Sequence, residues 1–236
     1  MLPEAVFFDM DDTLLFVSVT AESAWKEACD VSLKKPQPYR TEELLNQLNI
    51  VRDWYWSDLE RHRLGRLDLH RARTTIVRMA LEKLGCDDEV AAGLIASNYA
   101  EILDKTLDFF PDAEKTLEAL VKKKVKLALL TNGAGESQRG KINRFGLTRF
   151  FPICLIEGEL GYGKPDRRFF KMAMEKLSVR PEQAWMVGDD LARDIAGAQD
   201  AGIFSIWHDY GKTGLPEDSK VKPDRIINNL SELLMD

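Results

Sequence analysis

The sequence predicts an α/β fold in which a parallel-sheet core is interrupted early by an inserted all-helical domain. Three observations carry that prediction. From about residue 109 to the end, apolar runs alternate with helix-like segments, the pattern of βα units. One short strand run, Ala5 to Phe8, stands apart near the N-terminus. Residues 17–108 hold no comparable run, and their apolar positions recur at helical spacing instead. The expected division is therefore a core made of 1–16 and 109–236, with 17–108 inserted after the first strand.

Each element has its own signal. Ala5-Val6-Phe7-Phe8 is a continuous apolar run, as expected of a strand covered on both faces. In the inserted stretch, Ala21, Trp25, Ala28 and Cys29 form one stripe, and Leu44, Leu48, Val51 and Tyr55 form a second behind Thr41 as a helix cap. Ile76, Val77, Ala80, Leu81 and Leu84 form a third, with Gly85 just past its end. After a helix opened by Pro111 and Asp112, strands are expected at Val125–Leu130, Ile153–Ile156, Ala184–Val187 and Ile203–Trp207. Lys122-Lys123-Lys124 reads as a solvated helix end.

Composition narrows the function classes. At 236 residues and 44% hydrophobic, the chain can bury a sizeable core. A net charge of −6 and a pI near 5.3 argue against general affinity for nucleic acid or an anionic membrane. Cys29, Cys86 and Cys154 are odd in number and widely spaced, which suits reduced packing thiols better than a disulfide framework. The first ten residues lack a basic region followed by a long apolar segment, and no apolar run of about 20 residues occurs, so cytoplasmic residence is expected; the expected assembly is a monomer or homodimer.

Chemistry concentrates at predicted strand ends. Asp9 and Asp11 follow the first strand two residues apart, so in an extended chain they point the same way. Two such carboxylates need a cation, a proton or a substrate to offset their repulsion. Thr131-Asn132-Gly133 follows the second core strand. Lys164 lies in a glycine-rich loop after the third, and Gly188-Asp189-Asp190, with Asp194 beyond, follows the fourth. In a parallel sheet these ends share one edge, where ligands bind. A carboxylate nucleophile, a second carboxylate to move protons, and a lysine and hydroxyl to hold phosphoryl oxygens suit phosphoryl transfer assisted by Mg²⁺, a hard cation. Asp12, Asp112 and Asp166 read instead as turn or cap residues.

Asp9-Met10-Asp11-Asp12-Thr13, Thr131-Asn132-Gly133, Lys164-Pro165 and Gly188-Asp189-Asp190-Leu191-Ala192-Arg193-Asp194, in that order, resemble the four motifs of the haloacid dehalogenase superfamily of phosphohydrolases. The resemblance implies a Rossmann-like core with a helical (type C1) cap, and a Mg²⁺-dependent phosphatase acting on a small phosphate ester through an aspartyl-phosphate. By it, Asp9 is nucleophile and metal ligand, and Asp11 is acid/base and ligates through its backbone carbonyl. Asp189 is the third metal ligand. Thr131, Asn132, Gly133 and Lys164 hold the phosphoryl group, while Asp194 and Asp190 stand behind the metal. Thr131 to Ala134 with Gln138, Arg139 and Lys141 is similar to the branch containing N-acylneuraminate-9-phosphatase and the 5'-nucleotidases. Dehalogenases lack the second aspartate, so Asp11 disfavours that reaction. A phosphomutase of the β-phosphoglucomutase type is the enzymatic alternative, and a silent binding module the non-enzymatic one. A phosphonatase would need an imine-forming cap lysine, and nothing singles out Lys26, Lys34 or Lys35.

The run from Arg61 to Arg73 is basic within an acidic chain. It reads either as a solvated helix pair joined by a turn at Gly65, or as a turn that brings Arg63 or Arg66 to an anionic substrate group, since arginine binds carboxylate and phosphate bidentately.

Overall fold

The computed structural model describes residues 2–33 and 38–235; Lys34 and Lys35 lie outside the described residues. The chain divides into two compact units, Met1–Phe16 with Asp108–Asp236, and Val17–Leu107. The first unit opens with strands β1 (Ala5–Phe8) and β2 (Leu15–Phe16). The second contains α1 (Ser18–Ser32), α2 (Thr41–Ser57), α3 (Leu59–Leu67), α4 (Leu69–Lys83) and α5 (Glu89–Thr106). The first then resumes with β3 (Asp108–Phe109), α6 (Ala113–Lys122), β4 (Lys126–Thr131), α7 (Gly135–Arg144), β5 (Ile153–Ile156) and α8 (Glu157–Leu160). It closes with α9 (Arg167–Leu177), β6 (Ala184–Gly188), α10 (Ala196–Asp200), β7 (Phe204–His208) and β8 (Arg225–Ile227).

Six of these strands form one parallel sheet in the order β5-β4-β1-β6-β7-β8. β1 is central, hydrogen-bonded on both sides, and all four of its residues are buried, which is why its sequence is apolar without alternation. Ala5 and Phe7 pack with Phe169, Phe170 and Ala173 of α9 on one face of the sheet, while Phe8 meets Phe151 edge-on at 6.0 Å.

Two strands begin one residue later than the sequence predicts, for the same reason. Val125 and Ile203 donate their N–H groups back to Leu120 and Ala198, closing α6 and α10 in six-residue loops behind Lys124 (φ 61°) and Gly202 (φ 77°). Their backbones belong to the helix ends, not to the ladders. β8 and the antiparallel pair β2–β3 were not predicted, because two or three residues leave no periodicity.

In the helical unit the three predicted stripes are the buried faces of α1, α2 and α4. Trp25 stacks on Tyr99 at 3.7 Å, tying α1 to α5. Thr41 is the first residue of α2, not its cap; Arg40 stands at that position and its N–H is taken by Glu43 at 2.8 Å. Gly65 is not a turn. It lies inside α3 and is buried, and a Cβ there would meet Tyr55 Cε1 at 2.9 Å and Trp56 Cζ3 at 3.0 Å. The glycine serves helix packing, and the chain breaks three residues later at Asp68, which caps α4 by accepting from Arg71 N at 3.0 Å. No described helix is long and apolar enough to cross a membrane.

Candidate active site

The parallel sheet delivers the predicted residues to its C-terminal edge. Asp9 extends β1 by one rung, donating its N–H to Val187 O at 2.9 Å, and its side chain is buried. Thr131 ends β4. Lys164, 3% exposed, comes from the loop after α8 and bridges two carboxylates, pairing with Asp9 and lying 2.6 Å from Asp194 Oδ1.

That loop is held by side chains of the β4 segment. Asn132 accepts from Lys164 N at 2.8 Å and donates to Lys164 O at 2.7 Å, so its amide fixes the lysine backbone. A Cβ at Gly163 would lie 2.5 Å from Asn132 Oδ1; only glycine permits this clamp. The Gly133 N–H donates to the buried Glu157 at 3.0 Å, so that donor already has a partner. Gly133 adopts φ 121°, and its carbonyl accepts from Gly158 N at 2.9 Å.

Asp9, Asp189 and Asp194 form the acidic cluster, each offering an oxygen within 4.8 Å of the others. Burial pushes the Asp9 carboxyl up to about 7, against the pull of Lys164 and with help from Asp194. Asp189 is raised by burial and then by Asp9, and Asp194 by burial against Lys164. Burial disfavours the Lys164 charge, but Asp194 and Asp9 outweigh it and hold its pKa above the ordinary lysine range. Three carboxylates sharing one ammonium leave excess negative charge in a buried place, and an all-oxygen donor set suits a hard divalent cation. The residues therefore fit Mg²⁺. Asp194 Oδ1 lies 2.6 Å from Lys164 Nζ, and Oδ2 accepts from Asp190 N at 3.1 Å.

Two further contacts set this cluster. Trp207 Nε1 donates to Asp189 O at 2.7 Å, and a Cβ at Gly188 would lie 2.2 Å from Asp194 Oδ2. The sign of the pH dependence follows from Asp9. Its folded-state pKa is raised, so the folded metal-free protein holds a proton that the unfolded chain releases above about pH 4. The stability it contributes is full below that pH and is lost as pH rises through about 7. Cation binding requires the ionised form, so the melting-temperature gain on adding Mg²⁺ is expected to grow between pH 5 and pH 8. Thermal melts with and without Mg²⁺ check this; a gain that shrinks with pH contradicts it.

Asp11 pairs with a different lysine. Lys141 Nζ lies 2.7 and 2.8 Å from its two oxygens, and Gln138 Nε2 donates to Oδ2 at 2.9 Å. The same Gln138 nitrogen donates to Thr131 Oγ1 at 2.6 Å. Sequence reading assigned no role to Gln138, Lys141, Glu157 or Trp207. The spacing of Gln138 and Lys141, three apart on the helix after Thr131, was the available signal.

The remaining predicted residues each have a local partner. Asp190 caps the turn Leu191–Ile195, accepting from Ala192 N at 2.9 Å and Arg193 N at 2.7 Å, and pairs with Arg193. Arg63 forks onto Glu60 at 2.9 and 2.7 Å, and Arg66 lies 3.1 Å from His62 Nδ1. Asp166 caps α9 through Arg168 N at 2.9 Å, Asp112 accepts from Ser231 N at 2.6 Å, and Asp12 sits in a turn at φ 58°. His208 packs against Phe110 and Tyr210 with ring centroids 5.1 and 5.8 Å away, and burial holds its pKa below the usual imidazole value.

A family model described as haloacid dehalogenase-like hydrolase matches residues 3–202. Phosphoserine phosphatase of Thermus thermophilus is 39% identical over 163 residues, 69% of this chain, and the match spans 64% of that protein's length. Glyceraldehyde 3-phosphate phosphatase of Pyrococcus furiosus is 34% identical over 235 residues, 98% of this chain and 91% of that one. The HAD-hydrolase YfnB of Bacillus subtilis has the same fold, with a TM-score of 0.77 at 22% identity, covering 99% of this chain and 98% of that one.

Proposed function

The chain belongs to the haloacid dehalogenase-like hydrolases, and on that footing we propose that it is a Mg²⁺-dependent phosphomonoesterase working through an aspartyl-phosphate at Asp9. The observation that carries the reading is the buried Asp9–Lys164–Asp194 arrangement beside Asp189 at the C-terminal sheet edge. Asp9 attacks phosphorus, and the departing ester oxygen takes a proton from Asp11. Asp11, now a carboxylate, removes a proton from water as that water attacks the same phosphorus. Phosphate leaves and Asp9 is regenerated.

The other residues divide the electrostatic work. Thr131 accepts a hydrogen bond from Gln138 at 2.6 Å and donates at 3.5 Å to Asn132 O, a long bond that a phosphoryl oxygen would replace. Lys164 offsets charge on both Asp9 and the phosphoryl group. Asp9, Asp189 and the Asp11 carbonyl would hold Mg²⁺, which when bound would supply the positive charge that lets an anionic nucleophile meet an anionic phosphoryl group. None of these groups reads the carbon skeleton of the leaving alcohol, so the substrate is proposed only as a small phosphorylated metabolite. The relatives named for phosphoserine and glyceraldehyde 3-phosphate support that class. The unpaired thiols of Cys29, Cys86 and Cys154 support a reducing, cytoplasmic setting.

Asp11→Asn tests the acid role. Turnover of an alkyl phosphate is expected to fall about a hundredfold or more, whereas single-turnover release of p-nitrophenolate, which departs without a proton, falls by less than about tenfold. Equal losses contradict the assignment. A screen of sugar phosphates and nucleoside monophosphates should yield free phosphate; isomerised sugar phosphate in its place would identify a mutase.

A further inference from the structure

We propose that Lys141 is the positioning residue for Asp11, fixing its carboxylate through α7 as part of one hydrogen-bonded chain from Thr131 through Gln138. This inference rests on the acid/base role proposed for Asp11 above.

Asp11 lies in the turn after β1, where its backbone bridges to Leu15, Asp12 N–H donates to Leu15 O at 2.7 Å and Asp12 is in the left-handed region at φ 58°. Those bonds fix the main chain; the carboxylate is fixed separately, from α7. Lys141 reaches both of its oxygens, at 2.7 and 2.8 Å, and Gln138 reaches Oδ2 at 2.9 Å. Three hydrogen bonds on two oxygens set both the tilt and the rotation of the group. Gln138 and Lys141 stand three apart on α7, hence on one face, and α7 starts at Gly135, directly after the Thr131-Asn132-Gly133 segment.

An ordinary surface ion pair is the competing reading, and such pairs contribute roughly 0–1 kcal/mol to stability. The surroundings distinguish this one. Gln138 is 2% exposed and shares its single nitrogen between Asp11 and Thr131, and the Asp11 and Lys141 side chains are 30% and 16% exposed. The residue that grips phosphate and the residue that moves protons are thus positioned by one helix face. Misplacing a reacting group by about 1 Å can cost on the order of a hundredfold in rate, so a cation that sets the Asp11 oxygen can govern turnover without touching substrate.

A double-mutant cycle on the full-length, Mg²⁺-loaded protein tests this. Lys141→Met is expected to lower kcat on glycerol 3-phosphate at least tenfold with KM within twofold, and Lys141→Arg to recover to within threefold of wild type. On p-nitrophenyl phosphate, Lys141→Met should lower turnover severalfold in the wild-type background but less than twofold in Asp11→Asn. Lys141→Gln serves as the second truncation should the methionine variant fail to fold. An equal loss in both backgrounds, a loss confined to KM, or wild-type behaviour of both truncations overturns the proposal. Asp11→Asn with wild-type turnover would remove the acid/base role and this inference with it. Additive losses beside a crippled Asp11→Asn overturn only the role of Lys141.

Discussion

Asp9→Asn is expected to stop Mg²⁺-dependent phosphate release, lowering turnover by at least about a thousandfold, because the amide is no nucleophile toward phosphorus. The fold should survive. The substitution keeps shape, the backbone rung from Asp9 N to Val187 O at 2.9 Å is unaffected, and Lys164 retains Asp194 at 2.6 Å. The buried cluster also loses one of the charges that raises Asp189, so the metal-free variant should melt no lower than wild type at pH 8. The melting-temperature gain on adding Mg²⁺ should shrink. Phosphate release and thermal melts, read together, check both halves. Retention of a tenth of wild-type turnover would remove Asp9 from the nucleophile's place.

Lys164→Met has the second largest expected effect, and it reaches stability as well as rate. Lys164 is the cation bridging Asp9 and Asp194, and its side chain is 3% exposed. Breaking a buried pair by removing one partner leaves an uncompensated charge and costs about 3–5 kcal/mol. Exposed pairs such as Arg139–Glu159, at 41% and 37% side-chain exposure, are worth roughly 0–1 kcal/mol. The sign with pH is fixed by the carboxylates left behind. Asp9 and Asp194 are already raised by burial, and without the ammonium they rise further, so the folded variant keeps protons the unfolded chain releases. Its stability deficit should be full at about pH 8 and smaller at about pH 5. Urea unfolding at both values, without metal, measures it. An equal deficit at both would contradict the assignment of Lys164 as counter-ion.

The legible part of the molecule was the part encoded within a few residues. Val6-Phe7-Phe8-Asp9 reads as a buried strand delivering a carboxylate because the apolar run and the charge adjoin. Thr131 and Asp189 follow the same local rule. Asp9 and Asp11 read as converging because side chains two apart in an extended chain point the same way. What that rule does not carry is their cations: Lys164 holds Asp9 and Lys141 holds Asp11.

The less legible part depends on long-range packing. Lys141 meets Asp11 across 130 positions, and on α7 alone it looks like any solvated helix lysine. Trp207 reads as a core residue of an apolar strand, yet its indole N–H fixes the Asp189 carbonyl at 2.7 Å. Gly65 carried a turn signal because glycine frees the backbone; its actual role is to leave room for Tyr55 and Trp56, partners that lie on another helix. The partner of the Gly133 N–H, Glu157, lies 24 positions away and carries no local signal.

The central claim is that a phosphoryl group rests on Asp9 during turnover. The direct measurement is rapid quench of the Mg²⁺-loaded protein with an alkyl phosphate, borohydride reduction of any acyl phosphate, and peptide mass spectrometry. The expected result is homoserine at position 9 and unmodified aspartate at positions 11, 189 and 194. Homoserine at another position, or steady phosphate release with residue 9 never trapped, would contradict it.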